Sequence, residues 1–151
     1  MSKHILFLLG SLIMTSNAVF ASIDCELHVP KKGAFEKPFF VEFTIKNNTG
    51  TEAEVLTWLT PLEGFWSSLF ILRNQQNNEL TYQGPMAKRV APTPEDYLHL
   101  KPNETFSTSL DLTQAYEMTP GKYVLMPNSE HSSLPCWQSL HTSQWTFVVA
   151  R

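Results

Sequence analysis

The chain has 151 residues, of which 42% are hydrophobic, and its 14 acidic side chains outnumber its 11 basic ones. A net charge of −3 argues against nucleic acid or an anionic membrane surface as the main partner, because both require a basic face. The length is that of one domain, which can bury enough surface to fold alone.

Residues 1–21 have the features of a secretory signal peptide. Lys3 supplies a positive charge, and residues 5–14 form an apolar run that is too short for a bilayer, which needs about 20 helical residues. We expect cleavage before Ser22, a secreted or periplasmic protein, and no membrane insertion after cleavage. The alternative is an uncleaved anchor.

Period-two alternation of apolar and polar side chains predicts short strands in the remaining chain. These predicted strands cover residues 39–45, 54–59, 69–74, 79–83, 105–112, 123–126 and 145–149. The side chains of Phe106, Leu110 and Leu112 are expected on the inward face of their strand. No stretch has the pattern of a long helix, and residues 112–117 could form one turn at most.

Proline and glycine breaks separate these strands, which recur about every ten residues. This pattern predicts an all-β, immunoglobulin-like antiparallel β-sandwich that forms a single domain over residues 22–151. Tyr116 and Tyr123 flank a Pro-Gly turn before a predicted strand, as at the corner of many such sandwiches. We expect both tyrosines to be structural, with buried hydroxyls bonded to the backbone.

Cys25 and Cys136 are the two cysteines of the chain. In an exported protein an even number of cysteines favours a disulfide. This disulfide would join an N-terminal strand that contains Cys25 to the segment before the last strand. Two free thiols are the alternative. This spacing is not that of a zinc site.

Catalytic motifs are not found in the sequence. The histidines beyond the signal, His28, His99, His131 and His141, are not spaced to bind a metal from one helix or hairpin, and there is no His-Glu-x-x-His or Gly-x-Ser-x-Gly motif. The carboxylates at Glu63, Glu79, Glu95, Asp96 and Asp111 form no recognisable acid–base pattern. We expect no enzyme activity, no metal and no cofactor. A catalytic site assembled from distant residues is the alternative.

Three runs of sequence carry a family resemblance. They are Leu-Thr-Trp-Leu-Thr-Pro-Leu-Glu-Gly at residues 56–64, the Gly-Pro, Lys-Arg and Pro-Thr-Pro-Glu-Asp-Tyr elements within residues 82–97, and residues 110–123. Their order and spacing resemble the N-terminal, non-catalytic domain of deuterolysin-type (aspzincin, peptidyl-Lys) zinc metallopeptidases. The catalytic His-Glu-x-x-His and Gly-Thr-x-x-His-Asp motifs of that family match nothing in the chain, so the resemblance implies a stand-alone module without peptidase activity.

Two segments are candidates for partner binding. In residues 82–97, prolines restrict the backbone, and Lys88 and Arg89 precede Glu95, Asp96 and Tyr97. These charges either pair with each other and fix the loop, or present a recognition edge to a partner. Phe65 and Trp66 belong either to the core or, if they are exposed, to an interface.

These patterns predict an exported, non-catalytic binding module related to peptidase pro-domains. A secreted peptidase that the module inhibits or helps to fold is the expected partner. The alternative is an adhesion or interaction module of the envelope, or of a secreted effector, with no peptidase partner. The sequence leaves the oligomeric state open.

Overall fold

A computed structural model describes residues 22–151, so the expected signal peptide at residues 1–21 lies outside the described residues. Nine strands follow one another along the chain. They are β1 Ile23–His28, β2 Lys32–Ala34, β3 Phe40–Asn47, β4 Ala53–Leu56, β5 Phe70–Asn74, β6 Tyr97–Leu100, β7 Thr105–Asp111, β8 Gly121–Pro127 and β9 Trp145–Ala150. The one α-helix, α1, is the single turn Pro135–Gln138, and four 3₁₀ turns cover Pro61–Glu63, Pro94–Asp96, Leu112–Gln114 and Ser139–Thr142. Within residues 22–151, every helix is too short to be a membrane-spanning segment.

The strands form two main sheets that pack as a β-sandwich. One sheet has the order β1-β3-β7 and the other the order β2-β9-β8-β5, while β4 and β6 pair as a separate ribbon. The N-terminal segment therefore contributes β1 to one sheet and β2 to the other, an arrangement that fits the predicted immunoglobulin-like all-β fold. The ladders are antiparallel as predicted, except that β2 runs parallel to β9.

Two predicted strands differ from the structure, and the predicted strands do not include β2 and β6. The strand expected over residues 54–59 ends at Leu56, and Leu59 adopts a left-handed backbone conformation with φ of 58°. The strand expected over residues 79–83 is reduced to one bridge between Arg73 and Glu79, beside a hydrogen bond from Leu80 N to Leu72 O of 2.8 Å. In both places the chain leaves the sheet and forms loops instead.

The core lies between the two main sheets. Val41, Phe43 and Ile45 of β3 are fully buried, as their alternation predicted. Phe43 meets the fully buried Trp137 edge to face, with ring centroids 5.4 Å apart. Phe106 lies on the inward face of β7, as predicted, but it is not part of the buried core. It pairs with Ile45 in the ladder, but β7 is an edge strand and the Phe106 side chain is 41% exposed.

Both tyrosines near the β7–β8 connection are structural, which confirms that prediction. Tyr116 Oη donates a hydrogen bond of 2.6 Å to Phe70 O, and Tyr123 Oη donates one of 2.7 Å to Thr119 O, four residues upstream. Both side chains are buried. Burial raises the pKa of Tyr116 to about 12, because the phenolate would lose its hydration.

The segment 128–143 contacts both main sheets and carries the expected disulfide. Cys25 of β1 is bonded to Cys136 of α1, 111 positions away in sequence. Trp137 follows directly and is buried against Phe43 and Phe70. The disulfide therefore joins a segment that has little regular structure of its own to the first sheet.

Candidate functional site

Residues 57–66, which follow β4, form a tight local structure. Thr60 caps the turn Pro61–Glu63, since its Oγ1 accepts a hydrogen bond from Leu62 N at 3.1 Å and donates one of 2.6 Å to Thr57 O. The Glu63 carboxylate turns back and accepts a hydrogen bond from Leu59 N at 2.9 Å. Glu63 is therefore fixed by its own segment.

A second cap holds the end of the loop 82–97. The Asp96 carboxylate accepts hydrogen bonds from Thr93 N at 2.8 Å and from Thr93 Oγ1 at 3.0 Å, which caps the turn Pro94–Asp96. Its other oxygen accepts a hydrogen bond of 2.9 Å from Trp58 Nε1, and Thr57 N donates one of 2.9 Å to Asp96 O. Asp96 thus ties the loop to the segment 57–66.

Arg89 completes the connection between these two segments. Its guanidinium forms an ion pair with Glu63, and the carbon at its centre lies 4.8 Å from the ring centroid of Trp58, in a cation–π contact. We call Trp58, Glu63, Arg89 and Asp96 the Arg89 cluster. The ion pair of the cluster joins residues that are 26 positions apart, and its other contacts join residues that are 31 or more positions apart. Within residues 22–151, Arg89 itself lies in no strand and is held by these side-chain contacts.

The two acids of the Arg89 cluster have opposite pKa shifts. The Glu63 side chain is only 6% exposed, and this burial raises its pKa above the ordinary value, although Leu59 N–H and Arg89 oppose the shift. The Thr93 backbone N–H, assisted by Trp58, lowers the pKa of Asp96. The hydrogen bonds of Asp96 therefore favour its ionised form, whereas burial disfavours the ionised form of Glu63 and Arg89 partly offsets that effect on its pKa.

Pairing of the charges of the loop 82–97 with each other, one of the two alternatives for this loop, is not found among residues 22–151. Arg89 forms its ion pair with Glu63, which lies outside the loop, and not with Glu95 or Asp96. Lys88 and Glu95 are exposed, and neither forms an ion pair within residues 22–151. Tyr97 is half-buried in β6, opposite Leu56.

Phe65 and Trp66 point in different directions. Phe65 packs inward, with its ring centroid 6.2 Å from that of Phe70 and 6.4 Å from that of Tyr116. Trp66 is 51% exposed, and its carbonyl accepts a hydrogen bond of 2.9 Å from Ala87 N, which lies between the loop residues Met86 and Lys88. The core alternative therefore holds for Phe65 and the exposed alternative for Trp66.

Further apolar side chains lie exposed on the loop that contacts Trp66. Met86 and Val90 are both strongly exposed, and we call Trp66, Met86 and Val90 the Trp66 surface. A shallow open pocket of about 350 Å³ lies beside it, lined by Thr57, Glu63, Trp66, Ala87, Arg89 and Asp96. The pocket connects the exposed aromatic ring with the Arg89 cluster.

The contacts of two site residues with the loop 82–97 were not predicted from the sequence. Trp58 and Glu63 lie in the run 56–64 that carries the family resemblance, but neither was considered as a partner for the loop 82–97. The family resemblance includes both runs that contribute to the Arg89 cluster, residues 56–64 and 82–97, but it does not indicate that they touch. Their contact depends on the tertiary structure, which periodicity does not encode.

Chemically, the site is suited to binding. Within residues 22–151 no group of three or more His, Cys, Asp or Glu side chains is arranged to hold a metal ion. His99 is the histidine with the closest acids, Glu52 at 3.4 Å and Glu54 at 3.6 Å, and all three lie at the surface of the β4–β6 ribbon. The Arg89 cluster consists of one acid in an ion pair, one capping acid, and an arginine that stacks on the ring of Trp58.

Comparison with known proteins gives little further information. No family model and no curated protein matches the chain. Solved structures with partial similarity to the chain include two crystal structures of a beta-glucosidase from Listeria innocua, one of a mutant in complex with laminaribiose. At 12% identity they cover 87% of this chain with TM-scores of 0.44 and 0.42, and this chain spans 16% of the length of theirs. That likeness carries no argument about function.

Proposed function

We propose that the protein is an exported, non-catalytic binding module that docks onto a protein partner through the Trp66 surface. The observation that carries this proposal is the half-exposed Trp66 on an ordered loop. Tryptophan is among the residues that dominate the energetics of protein interfaces. An exposed indole ring leaves apolar area in water that a partner would cover.

The fixed conformation of the loop 82–97, which contacts Trp66, supports the same proposal. Met86 and Val90 lie on a segment whose irregular backbone is held by the ion pair of Arg89 and the hydrogen bonds of Asp96. Binding through a segment that is already ordered loses less conformational entropy than binding through a mobile one. The Arg89 cluster would thus act as the support of the Trp66 surface.

A secreted peptidase is the partner class that we infer. The two runs that most resemble the N-terminal domain of deuterolysin-type peptidases, residues 56–64 and 82–97, are the segments that meet in the Arg89 cluster. A module of this kind would inhibit the peptidase or assist its folding. Its own residues would supply recognition and leave the chemistry to the partner.

A pair of matched variants tests the role of Trp66. Phe40 is an aromatic residue of nearly equal exposure, 53%, in a different part of the molecule, in β3. We expect the Trp66→Ser variant to lose inhibition or chaperoning of secreted peptidases from its own organism, and the Phe40→Ser variant to retain it. Failure of the wild-type protein to affect any such peptidase, together with capture of an envelope or host protein through Trp66, would favour the adhesion or effector alternative.

A further inference from the structure

The outward faces of the two main sheets carry opposite charge. On the first sheet the outward positions of β1 and β3 include Asp24, Glu26 and Glu42 against the single cation Lys46. All four side chains are exposed, so this face is acidic. The acidic balance of the whole chain is therefore not spread evenly over its surface.

The outward face of the second sheet is basic instead. Lys32 and Lys122 both stand opposite Val148 in the ladders, on either side of β9, and both are exposed. Arg73 stands opposite Val124, but Glu79 lies 3.6 Å from it and balances its charge. Lys32 and Lys122, in contrast, form no ion pair within residues 22–151, so the surface near Val148 carries net positive charge.

A cleft of about 580 Å³ lies on this basic face. Outward-facing Val124 and Val148 contribute apolar surface, and Gln75 and Thr146 contribute polar groups. Lys31 and Lys122 also line the cleft, and no acidic side chain does. The volume is within the range of small-molecule sites in proteins, which is roughly 300–1,000 Å³.

The two lysines of the cleft flank the same strand residue. Val148 N donates a hydrogen bond of 3.1 Å to Lys31 O on one side, and Lys122 is the ladder partner of Val148 on the other. Because neighbouring strands lie about 4.8 Å apart, the two lysine backbones are separated by roughly 10 Å. Their flexible four-carbon stems can bring both ammonium groups to one anion. Within residues 22–151 neither lysine forms an ion pair.

We infer that this cleft binds a small amphiphilic anion. Its carboxylate, phosphate or sulfonate group would contact Lys31 and Lys122, and its apolar body would cover Val124 and Val148. Charge complementarity favours an anion, because among residues 22–151 two lysines without an ion pair and no carboxylate line the cleft. The valines favour a ligand with an apolar part over a bare inorganic ion. The cleft and the Trp66 surface share no residue, so this inference is independent of the proposed function.

Fluorescence of 8-anilinonaphthalene-1-sulfonate, which has an apolar body and one sulfonate, tests the inference. We expect saturable binding to the folded protein and displacement by dodecanoate but not by uncharged dodecanol. The double variant Lys31→Gln, Lys122→Gln should bind about tenfold more weakly, since two partly exposed charge contacts are lost. Circular dichroism establishes that the variant is folded.

Lys37 and Lys101 supply a matched control, since both are exposed and lie outside the cleft. The double variant Lys37→Gln, Lys101→Gln changes the net charge equally and should bind the probe as the wild type does. Equal weakening in both double variants, no weakening in either, or displacement by dodecanol as strong as by dodecanoate would overturn the inference. Cosedimentation with phosphatidylglycerol vesicles that dodecanoate does not reverse would also overturn it, because it would indicate adsorption to a lipid surface.

Discussion

Two irregular segments lie on the sandwich and are held by different forces. The segment 128–143 is held by the Cys25–Cys136 disulfide and by the burial of Trp137. The loop 82–97 is held by an ion pair, a cation–π contact and hydrogen bonds to a carboxylate. The first kind of attachment is insensitive to salt and responds to reduction, whereas the second responds to pH and to ionic strength. The binding surface that we propose combines Trp66 with Met86 and Val90, which lie on this second, more adjustable segment.

Loss of the disulfide should have the largest effect on stability. We expect the Cys25→Ala, Cys136→Ala variant to lose about 2–5 kcal/mol of unfolding free energy, mainly because the unfolded chain gains freedom. Denaturant unfolding followed by tryptophan fluorescence measures this loss. Reduction of the wild type with dithiothreitol is the control and should reproduce it. An unchanged midpoint in both experiments would show that apolar burial alone holds the segment 128–143.

Ionisation of the buried Tyr116 should have the next largest effect on stability, at alkaline pH. Tyr116 keeps its proton in the folded state up to about pH 12, whereas in the unfolded chain its pKa is near 10.0. The folded state therefore binds more protons between these values, and stability falls as pH rises through this window, by roughly 2–3 kcal/mol in total.

The Tyr116→Phe variant isolates that contribution. It should be less stable than the wild type at pH 8, because the Phe70 carbonyl loses its hydrogen bond, by about 1–3 kcal/mol. The difference in unfolding free energy between the two proteins should narrow as pH rises from 10 to 12. The wild type loses stability over this range because Tyr116 ionises in its unfolded chain, whereas the variant has no hydroxyl at this position. Parallel stability curves for the two proteins over this range would contradict the assignment of the buried hydroxyl.

Removal of Arg89 should weaken the loop attachment while leaving the sandwich folded. The Arg89→Ala variant leaves the largely buried Glu63 carboxylate without its cation, for an expected loss of about 1–3 kcal/mol at neutral pH. The loss should shrink in acid, where Glu63 is protonated. Lys88→Ala is the control, because Lys88 is exposed and makes no ion pair within residues 22–151, and it should change stability by less than about 0.5 kcal/mol. Equal effects of the two substitutions would show that the ion pair does not hold the loop.

Neutralising Glu63 should have the smallest effect. Burial raises the folded pKa of Glu63 above 4.5, so the folded state binds more protons there and stability falls as pH rises from 4.5 through the folded pKa. Glu63→Gln keeps an acceptor for Leu59 N and removes this dependence, with a net change at neutral pH of less than about 1 kcal/mol. Thermal unfolding of both proteins between pH 4 and 7 measures the slope. A wild-type stability that rises over this range, with no difference from the variant, would contradict the direction of the shift.

The longer strands with one buried face, β3, β8 and β9, followed from the sequence, whereas the short strands β2 and β6 did not. Val41, Phe43 and Ile45 alternate because one face of β3 lies against the core, and the same alternation predicted β8 and β9. Phe106 follows the same period but lies on an edge strand, so the pattern alone misjudged its burial. The alternation of apolar and polar residues predicts the face of the sheet on which a side chain lies. It does not predict whether other parts of the protein cover that side chain, which at an edge strand is only partly the case.

The site was less accessible to sequence reasoning. The sequence predicted both Trp66 and the loop 82–97 as candidates for partner binding. It did not predict that Arg89 forms its ion pair with Glu63, outside the loop. Glu63 lies 26 positions before Arg89, and the two meet only because the sandwich brings both loops to the same place. Contacts of this kind depend on tertiary structure, and neither local propensity nor spacing encodes them.

Photo-crosslinking from Trp66 tests the central claim most directly. A benzoylphenylalanine placed at position 66 of the exported protein, in its own organism, should crosslink to one defined protein, and the same group at position 40 should not. A peptidase in that adduct, with activity that falls when the purified module is added, is the result predicted here. Equal crosslinking patterns from positions 66 and 40, or no adduct from position 66, would contradict the claim that the Trp66 surface is the binding surface.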